Sequence, residues 1–345
     1  MRLVRMGHQV TVFNRLPFNT YAEDEFCGVR IRRVRTLPGK GTDTLVHSAI
    51  CTGLAMLEGY DIYYFCGVGS SVFSFAPRLL GGRTVINVDG ADWERAKWGP
   101  LGKTWLRWSE RMATLAADSV VADHPVIKAR YERNFGFMCD LISYGADVVD
   151  EDPGTSTLER FGLTPEGYLL YVSRLTPENN AHLVMEAYLR SDVPIPLVVV
   201  GDAPYVSDYQ RRLKELVESS NGRIRMTGYQ FGEAYRQLSY HSRAYLFPTS
   251  IDATRPVLLE QMGMGACIIA RDTPANRHVL GDAALWFRDE DPLPSLAETM
   301  KTVAAPGYDP SKITNLARER IRTEYSWDHV ADQYEELFTR LKPKR

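Results

Sequence analysis

The chain has 345 residues, 44% of them hydrophobic, and 41 basic residues against 43 acidic ones give a formal net charge of −2. That length allows two domains with full cores, the composition excludes a disordered chain, and the near-neutral balance excludes a globally basic surface of the kind that binds nucleic acid. The cysteines Cys27, Cys51, Cys66, Cys139 and Cys267 are scattered, with no CxxC pair and no histidine spacing suited to zinc. They are read as reduced, mostly buried thiols, and no metal site is expected. No apolar run reaches bilayer length, and MRLVRMGHQ lacks the apolar core of a signal peptide, so a cytoplasmic location is expected.

In chain order, RLVRMGHQVTVFN reads as the end of a helix, a glycine turn and a strand. A doubly wound domain opens with a strand and a phosphate-approaching loop before its first helix, so the first strand of the N-terminal domain is read as missing. Further strands are expected at VRIRRV, DIYYF, RTVINV, DSVVAD and DLISY, and then at YLLYVS, PLVVVG, RIRMTG, AYLFPT and CIIARD. Helices fall between them, for example Ala181 to Arg190 and Ser207 to Ser219. Short β-branched strands alternating with helices predict an α/β fold with parallel sheets. The acidic, Pro- and Gly-bearing DVVDEDPGTSTLERFGL interrupts the pattern, which divides the chain into residues 1–148, 149–322 and a closing helix over 323–345.

Ligands of open α/β sheets bind beyond the carboxyl ends of the strands, so the residues after each strand are the first candidates. Arg174 follows YLLYVS in SRLTPENNAHL, and its guanidinium fork suits a diphosphate; a plain surface arginine is the alternative. Gly228 and Tyr229 follow RIRMTG, where the tyrosine ring suits stacking on a base, the blander alternative being an exposed tyrosine beside a glycine turn. In TSIDATRPVLLEQMGMGA, Pro256 sits at an expected first helical position, with Leu258, Leu259 and Met262 forming an inward face. The amides around Thr254, Arg255, Pro256 and Val257 then make an anion site, and Glu260, one turn in, is placed to accept ribose hydroxyls; an ordinary capped helix is the alternative. In the first half, NVDGADWERAKWGP collects Asp89, Asp92, Trp93, Lys97 and Trp98, carboxylates beside indoles that suit a sugar, unless it is an amphipathic loop and helix start with its tryptophans in the core, and CGVGSSVF adds the small residues Gly67 and Gly69 at a strand-to-helix turn.

Together these segments resemble the GT-B glycosyltransferases of family 4, most closely their rhamnosyltransferase-like subgroup. SRLTPENN and DATRPVLLE stand where that family holds its nucleotide sugar with an Arg and a Glu, putting Arg174 and Glu260 in register. NVDGADWERAKWG, DTPANRHVLGDAALWF and the closing YSWDHVADQYEELF are similar to further segments of the subgroup. The resemblance implies two Rossmann-like domains facing across a cleft, with the C-terminal helix crossing back onto the first. It implies a retaining, metal-independent transfer from a nucleotide sugar, dTDP-rhamnose or a UDP-sugar, to a glycan or lipid-linked acceptor in cell-surface polysaccharide synthesis, with no cofactor. Arg174 is expected to stabilise the departing diphosphate, Asn179 to stand where the family has its phosphate Lys, and Asp89 and Asp92 to orient sugar hydroxyls. Asp252, the first acid of the E-x7-E element, would repel a diphosphate unless turned away or shared with Arg255. Peripheral attachment at the inner membrane face stays open, as does a catalytically silent nucleotide-sugar-binding protein.

Overall fold

The computed structural model describes residues 1–16, 21–36, 42–90, 93, 98–203 and 208–342. The chain forms two compact units, Met1–Ser143 with Trp327–Arg345, and Tyr144–Ser326. In the first, α1 (Arg2–Arg5) leads through a turn at Gly7 (φ 96°) into β1 (Thr11–Leu16), and β2 (Glu25–Phe26) and β3 (Val29–Arg35) complete a three-stranded sheet. After α2 (Thr42–Glu58) come β4 (Ile62–Cys66), α3 (Phe75–Leu79), β5 (Arg83–Val88), α4 (Pro100–Ala116), β6 (Ser119–Ala122), α5 (Pro125–Phe135) and β7 (Asp140–Leu141). The strands β4-β5-β6-β7 pair in parallel and in sequence order.

The second unit runs α6 (Ser156–Arg160), β8 (Leu169–Val172), α7 (Ala181–Ser191), β9 (Leu197–Val200), α8 (Asp208–Ser219), β10 (Ile224–Gly228), α9 (Gly232–Tyr240), β11 (Ala244–Phe247), α10 (Pro256–Met264), β12 (Ile268–Arg271), α11 (Pro274–Leu280), β13 (Leu285–Phe287), α12 (Pro292–Ala304) and α13 (Ser311–Thr323). Its six parallel strands lie in the order β10-β9-β8-β11-β12-β13. The order reverses between β8 and β11, the switch point at which an open α/β sheet leaves a crevice beyond its carboxyl edge. The strands LLYV, LVVV and AYLF are buried almost end to end because the sheet is covered on both faces, which is why they read as continuous apolar runs rather than alternating ones. Two apolar layers sandwich the sheet: Leu258, Leu259 and Met262 of α10 pack with Tyr245 and Phe247 on one face, and Val184 and Tyr188 of α7 with Leu246 and Ile269 on the other. The inward face expected of α10 is the observed one. Its Gly263 is required by a close approach, since a Cβ there would stand 2.3 Å from the Asp147 carbonyl oxygen.

Last comes α14 (Trp327–Leu341), which belongs to the first unit. Val330 and Leu337 pack on Val85, Val121 and Ile142, Arg340 Nη2 donates to both carboxylate oxygens of Asp140 at 2.7 Å, and the Tyr334 and Tyr64 hydroxyls meet at 2.8 Å.

Three readings need correction. β2 and β13 were not expected: the first is a two-residue arm held by antiparallel pairing to β3, and the second takes its strand form from pairing with β12. The thiols are not mostly buried, because Cys139 and Cys267 are, Cys51 is half-buried, and Cys27 and Cys66 are exposed; all five are free. Burial pushes Cys267 up to about 11 and Cys139 up to about 12, so these two are inert at neutral pH.

Candidate functional site

Beyond the carboxyl edge of the second unit's sheet lies a cavity of about 430 Å³, within the range of small-ligand sites. Four strand ends build it. Ser173 and Arg174 follow β8, Gly201 follows β9, Tyr229 follows β10, and Pro248 and Thr249 follow β11. Gly201 is demanded by the packing of those edges: it has φ +132°, and a Cβ would fall 1.8 Å from the Ser173 carbonyl oxygen. Its N–H donates to the Gly228 carbonyl at 2.9 Å and the Ser173 N–H to that of Val200 at 3.0 Å, so the floor of the cavity is tied backbone.

The loop carrying Arg174 is braced by Asn179, whose side-chain amide donates to the Arg174 carbonyl at 2.8 Å and to Thr176 Oγ1 at 3.1 Å. Both amide donors of Asn179 are thereby used within the loop, although the residue lines the cavity. Asn180, in the left-handed region at φ 58°, donates to the Pro248 carbonyl at 3.3 Å and so links this wall to the loop after β11. The Arg174 side chain itself is exposed and forms no hydrogen bond or ion pair among the described residues. A second guanidinium, Arg255, lines the same cavity. Burial holds the Tyr171 and Tyr245 phenols well above their ordinary pKa, and the positive charge of Arg255 acts in the opposite direction on both.

Arg255 is also the residue before α10, whose first helical position is Pro256 and whose N-terminus has no side-chain cap. Pro256, Val257 and Glu260 line the cavity, so the positive end of the helix opens into it with a carboxylate one turn further on. On the opposite wall the Tyr229 hydroxyl donates to the Asp202 carbonyl at 3.1 Å, and its ring stacks with that of Phe231, centroids 5.9 Å apart and 18° between planes.

Of the residues singled out from the sequence, Arg174, Asn179, Tyr229, Arg255, Pro256, Val257 and Glu260 therefore share one cavity. Gly228 and Thr254 adjoin it without lining it, Thr254 being buried at 2% exposure. Asp252 is exposed and outside the lining. In the first unit, Asp89 is half-buried straight after β5, and Gly67 (φ 85°) opens a 3-10 turn over Val68–Ser74 after β4. The Gly69 carbonyl accepts from Trp105 Nε1 at 3.3 Å. Trp93 donates from Nε1 to Glu110 at 3.2 Å beneath the Arg107 guanidinium, 4.4 Å from its ring. Asp92 and Lys97 lie outside the described residues. Gly201, Phe231 and Tyr235, all in the lining, were not picked out from the sequence. For Gly201 a signal existed, a glycine directly after the apolar run VVV.

Part of the second unit also resembles a known family in sequence. Residues 166–305 match the family Glycosyl transferases group 1. Residues 59–147 match a domain of unknown function, DUF1972. The chain is 22% identical over 236 residues to the lipopolysaccharide 1,2-N-acetylglucosaminetransferase of Salmonella typhimurium, covering 63% of this chain and 61% of that protein. It therefore spans about three fifths of that relative's length. Sucrose-phosphate synthase from Thermosynechococcus elongatus superposes with a TM-score of 0.81 at 20% identity, over 99% of this chain and 90% of that one. HepE of Anabaena, solved in complex with UDP-glucose, gives 0.75 at 16%, over 91% and 86%. At those identities the likeness is one of fold, the α/β architecture with parallel sheets in two domains that GT-B glycosyltransferases share. No helix among the described residues is long and apolar enough to cross a membrane.

Proposed function

We propose that the chain is a glycosyltransferase that moves a sugar from a nucleoside-diphosphate donor to a glycan or lipid-linked acceptor in cell-surface polysaccharide synthesis. The observation that carries this reading is the convergence, at the sheet's switch point, of Arg174, the uncapped start of α10 and Glu260 on one cavity. Arg174 and the α10 amides hold the diphosphate and stabilise the charge that grows on it as the glycosidic bond breaks, which is catalysis by preorganised donors. Glu260 takes ribose hydroxyls, and the stacked Tyr229 offers a face to the base. Asp89, by the family resemblance, orients sugar hydroxyls. The name of the Salmonella relative supports a surface-polysaccharide acceptor, and the UDP-glucose bound by HepE supports a nucleotide-sugar donor.

Retention of configuration, independence of metal, action at the inner membrane face, and rhamnose as the sugar rest on the sequence resemblance, with dTDP-rhamnose and UDP-sugars as the donors it implies. The experiment is a panel of dTDP-rhamnose, UDP-glucose, UDP-N-acetylglucosamine and GDP-mannose, followed by release of nucleoside diphosphate and by NMR of the product's anomeric proton. Release from one donor with the anomeric configuration kept is the expected result. Binding without release from any of them would make the chain a silent binding protein instead.

A further inference from the structure

Glu260 is exposed at the cavity mouth, and a glutamate there has several rotamers open to it. In this structure one of its oxygens is taken. Tyr235 of α9, itself a lining residue, donates from its hydroxyl to Glu260 Oε2 at 2.7 Å. The direction of that hydrogen bond is set from behind. Gln261 Nε2 approaches the same hydroxyl oxygen at 3.2 Å and Ser239 Oγ at 2.7 Å, and an amide NH₂ only donates, so the tyrosine oxygen accepts from Gln261 and its proton is directed to the carboxylate. Gln261 and Ser239 have no exposed surface, so this support cannot swing into solvent. Burial, reinforced by the adjacent Glu260 charge, keeps the phenol protonated far above neutral pH, so it remains a donor. Glu260 Oε1 has no protein partner among the described residues.

We infer that Tyr235 is a positioning residue: it clamps one oxygen of Glu260 so that the other is held ready for the sugar hydroxyls of the nucleotide. The inference rests on the proposed nucleotide site. It makes Tyr235 a determinant of how strongly the protein distinguishes a nucleotide carrying ribose hydroxyls from one without them. Glu260 unclamped would still be charged, but its acceptor oxygen would have to be ordered on each binding event.

The test uses the full chain and the tightest binder among UDP, GDP, ADP and dTDP, set against the 2′,3′-dideoxy form of the same nucleotide, by calorimetry. In Tyr235→Phe only the hydroxyl is lost. The variant should bind the hydroxyl-bearing nucleotide roughly tenfold more weakly than the wild type, the range expected for a hydrogen bond to a charged group, and the dideoxy form within twofold of it. The ratio between the two nucleotides, rather than either affinity, is the readout, because a variant whose cavity is merely distorted loses both alike. Equal losses for both nucleotides, or a preserved ratio, would overturn the inference while leaving the nucleotide site standing. A wild-type protein that binds none of the four nucleotides would overturn the proposed function, and this inference with it.

Discussion

Two helices of the second unit begin in the same way in sequence and end up in opposite situations. Both α10 and α11 follow a strand and place a proline at their first position. At α11 the preceding Thr273 closes the end, its Oγ1 accepting from the Asn276 N–H at 3.2 Å, and the Asn276 amide donates to the Thr249 and Arg271 carbonyls at 3.0 and 2.8 Å. At α10 the corresponding residue is Arg255, whose side chain offers no acceptor, and the helix start opens on a cavity. The missing cap alone does not mark a site, since α4 and α12 also begin with proline and lack one. What distinguishes α10 is that its start faces the switch point of the sheet, where Arg174 and Glu260 meet it. An uncapped helix end costs about 1 kcal/mol of stability relative to a capped one, and in the proposed function the donor's diphosphate supplies the missing partner at α10.

The comparison is broken most severely from the sheet side. Gly201→Ala puts a methyl group against the Ser173 carbonyl at a backbone angle suited to glycine, and is expected to cost on the order of 3 kcal/mol of stability and to abolish nucleotide binding, although neither helix start is altered. Thermal unfolding together with calorimetry checks it. Arg174→Ala should instead leave the melting temperature within a degree or so and weaken nucleoside-diphosphate binding by about 2 kcal/mol, the loss of a charged hydrogen bond. Thr273→Ala should do the reverse, removing about 1 kcal/mol of stability with the nucleotide dissociation constant unchanged. The smallest effect belongs to Asp252→Asn. With Asp252 exposed and outside the cavity lining, donor affinity should stay within twofold of the wild type; an increase of tenfold would show that its charge reaches the diphosphate.

Legibility in the sequence followed how local the causes were. β8, β9 and β11 could be read because burial on both faces turns each into an almost unbroken apolar run, and Pro256 marked a helix start by its own geometry. β13 could not be read that way, because LWF is three residues long and partly exposed, and pairing with β12 makes it a strand. Asn179 was placed in the donor site through the family resemblance, and it lines the cavity, yet its two amide donors brace the Arg174 loop, a matter of side-chain rotamer that no resemblance reveals. Tyr235 was invisible for a related reason. It stands 25 residues from Glu260, on a different helix, and only the packing of α9 against α10 brings the two groups to 2.7 Å.

The central claim, that the start of α10 belongs to a nucleoside-diphosphate site, is tested most directly by thermal unfolding in the presence of UDP, GDP, ADP and dTDP beside their parent nucleosides. At a hundredfold excess over its dissociation constant, a ligand that binds only the folded protein adds about 2.7 kcal/mol of stability. One diphosphate should raise the melting temperature by several degrees, its nucleoside should raise it far less, and the shift should vanish in the Arg174→Ala, Glu260→Gln double variant. A double variant that is stabilised as strongly as the wild type, or a wild type that no nucleotide stabilises, would contradict the account.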